Sequence, residues 1–150
     1  MTEAIRVVAR FVKGKVLKGT TQDFFPNRAG FHLSPMDGGP TVEVLCRELK
    51  AVFFVKDFAG NPDRRDPRGF IAGPGETSHG KKIAVLFKDG ELICGYTLSY
   101  APDRPGFFMT PADASSNSLR IYVQVSSAAQ VKAGPAADLL AQKALAAQDQ

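Results

Sequence analysis

The chain has 150 residues, of which 44% are hydrophobic and 23% charged, and its formal net charge is +4. Such a composition is close to the globular average and excludes a chain that is disordered throughout. A charge this small is also unlike that of a strongly basic nucleic-acid module.

The two cysteines, Cys46 and Cys94, both fall in predicted strands and form no Cys-x-x-Cys pair. A thiol-based metal site or redox motif therefore has no support in the sequence. The N-terminus begins Met1-Thr2-Glu3-Ala4, which carries an acid and lacks the apolar core of a signal peptide. No apolar run reaches the length of a membrane-spanning helix. We expect a reduced, cytoplasmic protein with no membrane contact.

A shift of 76 positions aligns residues 11–35 with residues 87–111 without a gap, and nine of these 25 positions are identical. The identical pairs are Phe11/Phe87, Gly14/Gly90, Gly19/Gly95, Thr21/Thr97, Pro26/Pro102, Arg28/Arg104, Gly30/Gly106, Phe31/Phe107 and Pro35/Pro111. Chance predicts only about one or two matches in such a window. The sequence therefore predicts an internal repeat of about fifty residues.

Each copy reads as a meander of short strands. The first strand (5–12 or 83–88) is rich in β-branched residues and ends at a two-residue hairpin, Lys13-Gly14 or Asp89-Gly90. A second strand carries a glycine at its middle, Gly19 or Gly95, which favours a bend or bulge. Turns ending in glycine and further alternating strands follow.

Four segments result: a first β repeat over 1–55, a Gly/Pro/Arg-rich connector over 56–81, a second β repeat over 82–131, and a helical tail over 132–150. Pro135 suits the first position of that helix and Asp138 its positive end. We predict an all-β fold with a C-terminal helix, built as two tandem small β-barrels.

The order of strand, Asp-Gly turn, strand with glycine, turn and paired strands resembles the Sm-like and SH3-like small barrels. Phe87-Lys88-Asp89-Gly90-Glu91 with Gly95 carry this resemblance in the second copy. The stretches 49–58 and 116–121 also resemble an uncharacterised bacterial family of duplicated small barrels that accompany signalling modules. That resemblance implies a regulatory or binding role and names no ligand.

Five arginines are the candidate ligand-binding residues. Arg64 and Arg68 in the connector, with Arg65 between them, match the arginine pair of PilZ cyclic-dinucleotide receptors, because arginine forks bond phosphates bidentately. Interleaved Asp63 and Asp66 partly cancel them, which favours a solvated turn. Arg28 and Arg104 recur in equivalent turns. They form either a paired anion site or, as the sequence favours, a repeated contact of guanidinium with turn carbonyl.

No catalytic or metal constellation is present in the sequence. His32 and His79 are the two histidines, and Phe108 replaces His32 in the second copy, which excludes a repeated catalytic role. No Gly-rich loop precedes a helix. Adjacent aromatics such as Phe53 and Phe54 must point to opposite faces of a strand, which favours packing over base stacking. We predict no enzyme activity, no cofactor and no metal.

The first functional hypothesis is a non-enzymatic binding or adaptor module, regulatory or signalling-associated, with a protein partner. The alternative is a nucleic-acid or cyclic-dinucleotide binder. Residues 1–55 carry eight basic and five acidic side chains (+3) and residues 56–82 six and four (+2), whereas residues 83–131 carry three and four (−1). Any anionic ligand is therefore expected on the first half or the connector.

Overall fold

The computed structural model describes residues 5–25, 28–56, 76–77, 80–98, 100–101, 103–112 and 118–148. The first half (residues 5–56) contains β1 (Ile5–Phe11), β2 (Val16–Thr21), β3 (Gly30–Pro35), β4 (Val42–Leu45), the 3-10 turn η1 (Cys46–Glu48) and β5 (Leu49–Val55). After the short strand β6 (Glu76–Thr77), the second half (residues 80–133) contains β7 (Gly80–Phe87), β8 (Leu92–Thr97), β9 (Gly106–Pro111), β10 (Ser118–Gln124), η2 (Val125–Ser127) and β11 (Ala128–Ala133). Helix α1 (Pro135–Gln148) ends the described chain.

Ten strands form one antiparallel sheet in the order β11-β7-β8-β9-β10-β5-β1-β2-β3-β4, and β6 pairs with β7 beside it. The strand order within the two halves is the same. Their registers also agree at an offset of 76, since Val7 lies opposite Gly19 and Ile83 opposite Gly95. Gly19 pairs with Pro35 as Gly95 pairs with Pro111. The prediction of a β-rich chain with one C-terminal helix is confirmed.

The prediction of two separate barrels is wrong. Closing the first half into a barrel requires β5 to pair with β4 of the same half. In the structure β5 pairs with β1 on one side and with β10 on the other. Both edges of β5 are occupied, so the two halves share one continuous sheet.

The β5–β10 pair is a wall with a hydrophobic core on each side. Val52 and Phe54 face the first core, whereas Ala51 and Phe53 face the second, as strand alternation requires. On β10, Tyr122 faces the first core and Ile121 the second. The prediction that Phe53 and Phe54 point to opposite faces is confirmed.

Five aromatic rings fill the first core beside this wall. Their members are Phe24, Phe31, Phe54, Phe108 and Tyr122, whose closest ring centroids lie 5.0–6.1 Å apart. Edge-to-face contacts of this kind stabilise a core beyond simple burial, by about 0.5–1.5 kcal/mol each. The Arg120 guanidinium lies 4.6 Å from the Phe54 ring and 4.5 Å from the Phe108 ring, which closes the cluster. Rings from both halves thus share one core.

A nearly buried lysine joins the halves on the other side of the wall. Lys50 on β5 is 8% exposed, and its Nζ lies 2.7 Å from Asp89 Oδ2 and also contacts Glu91. The same ammonium lies 4.7 Å from the Phe87 ring centroid. Burial of a charge is costly unless it is paired, and here two carboxylates in the β7–β8 turn supply the pairing.

The helix predicted for the tail docks on the second half. Ala137, Leu140 and Ala141 pack on Ala84 and Cys94, on the face of β7 and β8 opposite the second core. Lys82 Nζ lies 3.1 Å from Asp138 Oδ1 at the start of the helix. None of the described helical residues forms a segment both long and apolar enough to cross a bilayer.

The mid-strand glycines are explained by close backbone approach. A Cβ on Gly95 would lie 2.0 Å from the Thr110 carbonyl oxygen, and one on Gly19 would lie 2.2 Å from the Ser34 carbonyl oxygen. Both contacts occur where the second strand of each half meets the third. Only glycine allows the two backbones to come this close.

Gly95→Ala is expected to destabilise the fold by about 2–3 kcal/mol, because the new methyl group forces β9 away from β8. Gly19→Ala should have a similar effect on β2 and β3. The measurement is the free energy of urea unfolding. Gly39→Ala is the matched control, since its Cβ would meet nothing nearer than the exposed Asp37 carboxylate, 3.1 Å away, and no backbone atom. A Gly95→Ala protein as stable as the control would contradict the close approach.

The Lys50–Asp89 pair predicts a specific acid sensitivity. The hydrogen bond from Lys50 holds the pKa of Asp89 below its ordinary value of 3.8. A carboxylate with a lowered folded pKa stabilises the fold above about pH 4 and loses that contribution as the pH falls through its folded value. Asp89→Asn should therefore lower the urea midpoint at pH 6, and the difference from the natural protein should shrink below pH 3.8. In a Lys50→Met background the same change should have little effect; an undiminished effect there would rule out this pair as its source.

Candidate functional site

A cavity of about 780 Å³ opens where the two halves meet. It lies between the turns that precede β3 and β9, the end of β4 with η1, and strand β10. The described residues that line it are Arg28, Ala29, Leu45, Cys46, Arg47, Arg104, Pro105, Gly106, Tyr122 and Gln124. Each half therefore contributes a turn and a strand end to one cavity.

Two of the predicted site residues, Arg28 and Arg104, are brought together in this cavity. Their turns have the same local structure: the Arg28 N–H donates to the Phe25 carbonyl at 3.0 Å and the Arg104 N–H to the Ala101 carbonyl at 3.1 Å. Within the described chain neither guanidinium bonds a turn carbonyl, which was the contact that the sequence favoured. The Arg28 guanidinium instead lies 4.7 Å from the Phe25 ring centroid.

A third arginine, Arg47, lines the same cavity and was missed by the sequence reasoning. It belongs to η1 and is exposed. The 76-residue offset aligns it with Val123 in the sequence, and its counterpart in η2 of the structure is Ser126, so the repeat gave no signal for it. Only the folding of η1 against the second half brings Arg47 to the cavity.

Two polar side chains of β10 reach the cavity from its buried side. Tyr122 and Gln124 are 3% and 9% exposed and lie two residues apart, on one face of the strand. Neither side chain hydrogen-bonds to any residue that the structure describes. Because no enclosed side-chain nitrogen or oxygen in the described residues lacks a partner, both groups have access to the cavity.

The ionisable groups on the buried side stay protonated. Burial raises the pKa of the Cys46 thiol. Burial, with a smaller contribution from Cys46, raises the pKa of the Tyr122 hydroxyl. At neutral pH the Cys46 thiol and the Tyr122 hydroxyl are therefore mainly uncharged.

His32 does not line this cavity. Arg64, Arg65 and Arg68 fall outside the described residues. His32 sits on the exposed face of β3, where its Nδ1 lies 2.6 Å from Asp23 Oδ2, and that hydrogen bond raises the pKa of His32. The described part of the chain contains no group of histidine, cysteine and carboxylate side chains that could hold a metal ion.

The cavity thus has the chemistry of an anion site. Three arginines give it a formal charge of +3, and no carboxylate is found among the described residues that line it. Guanidinium groups remain charged at all physiological pH values and bind phosphate or carboxylate oxygens bidentately. Three charged donor groups without a described lining carboxylate favour an acceptor-rich ligand.

Cys46 allows this positive field to be measured directly. In a Cys94→Ala background, the ratio of alkylation rates with anionic iodoacetate and neutral iodoacetamide reports the local potential, because the thiolate fraction cancels. At low salt we expect this ratio to exceed that of a free thiol by about two- to fivefold, and to fall with added salt. Arg47→Gln should lower it, whereas Lys132→Gln on the edge strand β11 should not. An unchanged ratio in the Arg47 variant would contradict the field.

Comparison with known proteins gives a family but no activity. No curated protein matches the chain, and no solved structure does. Residues 3–133 match the model of a family of unknown function, DUF6982. Since this match covers both halves of the sheet and most of the chain, the protein belongs to the family of unknown function DUF6982.

Proposed function

We propose that this protein is a non-enzymatic binding module and that the cavity holding Arg28, Arg47 and Arg104 binds a small phosphate-bearing anion. The observation that carries the proposal is the convergence of three arginines on one cavity without a described lining carboxylate. The raised pKa values of Cys46 and Tyr122 support a binding role over a catalytic one. A regulatory role, in which the anion acts as a signal, is part of this proposal.

The cavity favours a small ligand over a nucleic-acid polymer. A polymer binds along an open surface stripe of basic side chains, whereas here three arginines line a concave space of about 780 Å³. Pockets of this size suit ligands of the size of a metabolite or drug.

We also propose that the two halves descend from one duplicated unit of the Sm-like or SH3-like kind. The equal strand order, the common register of the first three strands at an offset of 76 residues and the equivalent turn hydrogen bonds support this. In each half the residue that ends the first strand accepts from the following glycine, as in Gly14 N–H to Phe11 O and Gly90 N–H to Phe87 O. On this proposal Arg28 and Arg104 are the same residue of the ancestral unit.

Inorganic pyrophosphate is the probe for the anion site. Titration calorimetry should give a dissociation constant that rises with salt, since phosphate binding releases ions. Arg28→Gln, Arg47→Gln and Arg104→Gln should each weaken binding about ten- to a hundredfold, because each removes a charge-assisted hydrogen bond of roughly 1.5–3 kcal/mol. Without ligand these variants should be at least as stable as the natural protein, because the three like charges repel one another.

Two controls locate the site. Lys132→Gln removes a charge of the same sign from β11, outside the cavity, and should leave the affinity unchanged. The double variant Arg64→Gln with Arg68→Gln removes two positive charges from the connector, and its pyrophosphate affinity shows whether the connector takes part in binding. If the connector variant abolished pyrophosphate binding and the cavity variants did not, the cavity would lose its proposed role. Absence of pyrophosphate binding at low salt would end the anion-site proposal.

A further inference from the structure

We infer that the ligand of this cavity is a nucleotide, with its phosphates on the arginines and its base recognised at its edge by Gln124. The inference rests on the proposed anion site and adds the class of ligand and a residue that determines specificity. It is carried by the two nearly buried polar side chains, Gln124 and Tyr122, that line the cavity without partners in the described chain.

The Gln124 side chain suits a ligand group that both accepts and donates hydrogen bonds. Its amide offers one carbonyl acceptor and two N–H donors, and the side chain is 9% exposed. Buried polar groups in folded proteins are almost always hydrogen-bonded, so such a group on a cavity wall marks a place where a ligand completes the bonding. A phosphate oxygen can accept a hydrogen bond from the amide N–H groups, but it offers no donor to the amide carbonyl. A nucleobase edge presents an adjacent donor and acceptor, which a glutamine side chain matches bidentately.

Tyr122 is held so that its hydroxyl, not its ring face, meets the ligand. The ring packs against Phe24 and Phe108, with centroids 5.2 and 5.1 Å away. Gly106 lies directly against the hydroxyl end, since a Cβ at Gly106 would be 2.3 Å from the Tyr122 oxygen. The ring is thus packed into the first core, and the hydroxyl beside Gly106 is a second polar contact next to Gln124.

The size of the cavity agrees with a nucleotide. A volume of about 780 Å³ falls within the range that encloses drug-sized ligands and leaves much of the space empty when only a pyrophosphate is bound. Leu45 and Pro105 add apolar walls to the same space. A ligand with a charged end and a flat neutral end uses both kinds of surface.

The test compares adenosine diphosphate with inorganic pyrophosphate by titration calorimetry in the presence of EDTA. Adenosine diphosphate should bind at least about tenfold more tightly, since a bidentate amide–base pair adds to the phosphate contacts. Gln124→Met keeps the length of the side chain and should erase this advantage without changing the pyrophosphate affinity. Tyr122→Phe should reduce the advantage in part. Gln130→Met, on the exposed strand β11, is the matched control and should change neither affinity.

Each other outcome decides against the inference. Equal affinities for the two ligands, both weakened by Arg104→Gln, would overturn the nucleotide assignment and leave the anion site standing. Equal weakening of both ligands by Gln124→Met would show a structural effect and overturn the role in specificity. If neither ligand bound, the anion site itself would fall, and the nucleotide inference with it.

Discussion

The fold depends on β5 (Leu49–Val55), a strand with both edges paired and both faces buried. It hydrogen-bonds to β1 of its own half and to β10 of the other half, and six of its seven residues are buried. A strand in this position reads as a nearly continuous apolar run, LKAVFFV, instead of an alternating one. The single exception to its apolar character, Lys50, is buried only because Asp89 and Glu91 of the second half neutralise it.

The equivalent strand of the second half shows what β5 would be without this partner. β11 (Ala128–Ala133) pairs with β7, as β5 pairs with β1, but in the described chain no strand pairs with its other edge. Its sequence, AAQVKA, has small and polar residues, and none of its six residues is buried. A lysine on such an edge protects it against pairing with other chains. The two halves therefore share a register but differ in sequence wherever their surroundings differ.

Much of the architecture could be predicted because it depends on local signals. The Asp89-Gly90 turn, the glycine at 95 and the proline at 111 mark strand ends and close contacts within one half, and the 76-residue offset doubles each signal. The prediction of separate barrels was wrong for a different reason. Whether β5 closes on β4 or pairs with β10 depends on contacts between halves that are far apart in sequence. Arg47 and Gln124 were missed for the same reason. Their counterparts in the other half, Ser126 and Leu45, differ from them in character, and the cavity forms only across the junction.

The cavity exists because the sheet is continuous. Arg28 and Arg104 occupy equivalent turns, so in two independent barrels they would belong to two separate sites with one charge each. Pairing of β10 with β5 instead places a turn from each half, together with η1 and β10, around one space. Three arginines line that space, and an anion bound there, as we propose, would offset the like charges that the fold brings to it. The pairing of β10 with β5 excludes two separate barrels. It thus brings the repeated arginine of each half to one concave candidate site that neither half forms alone.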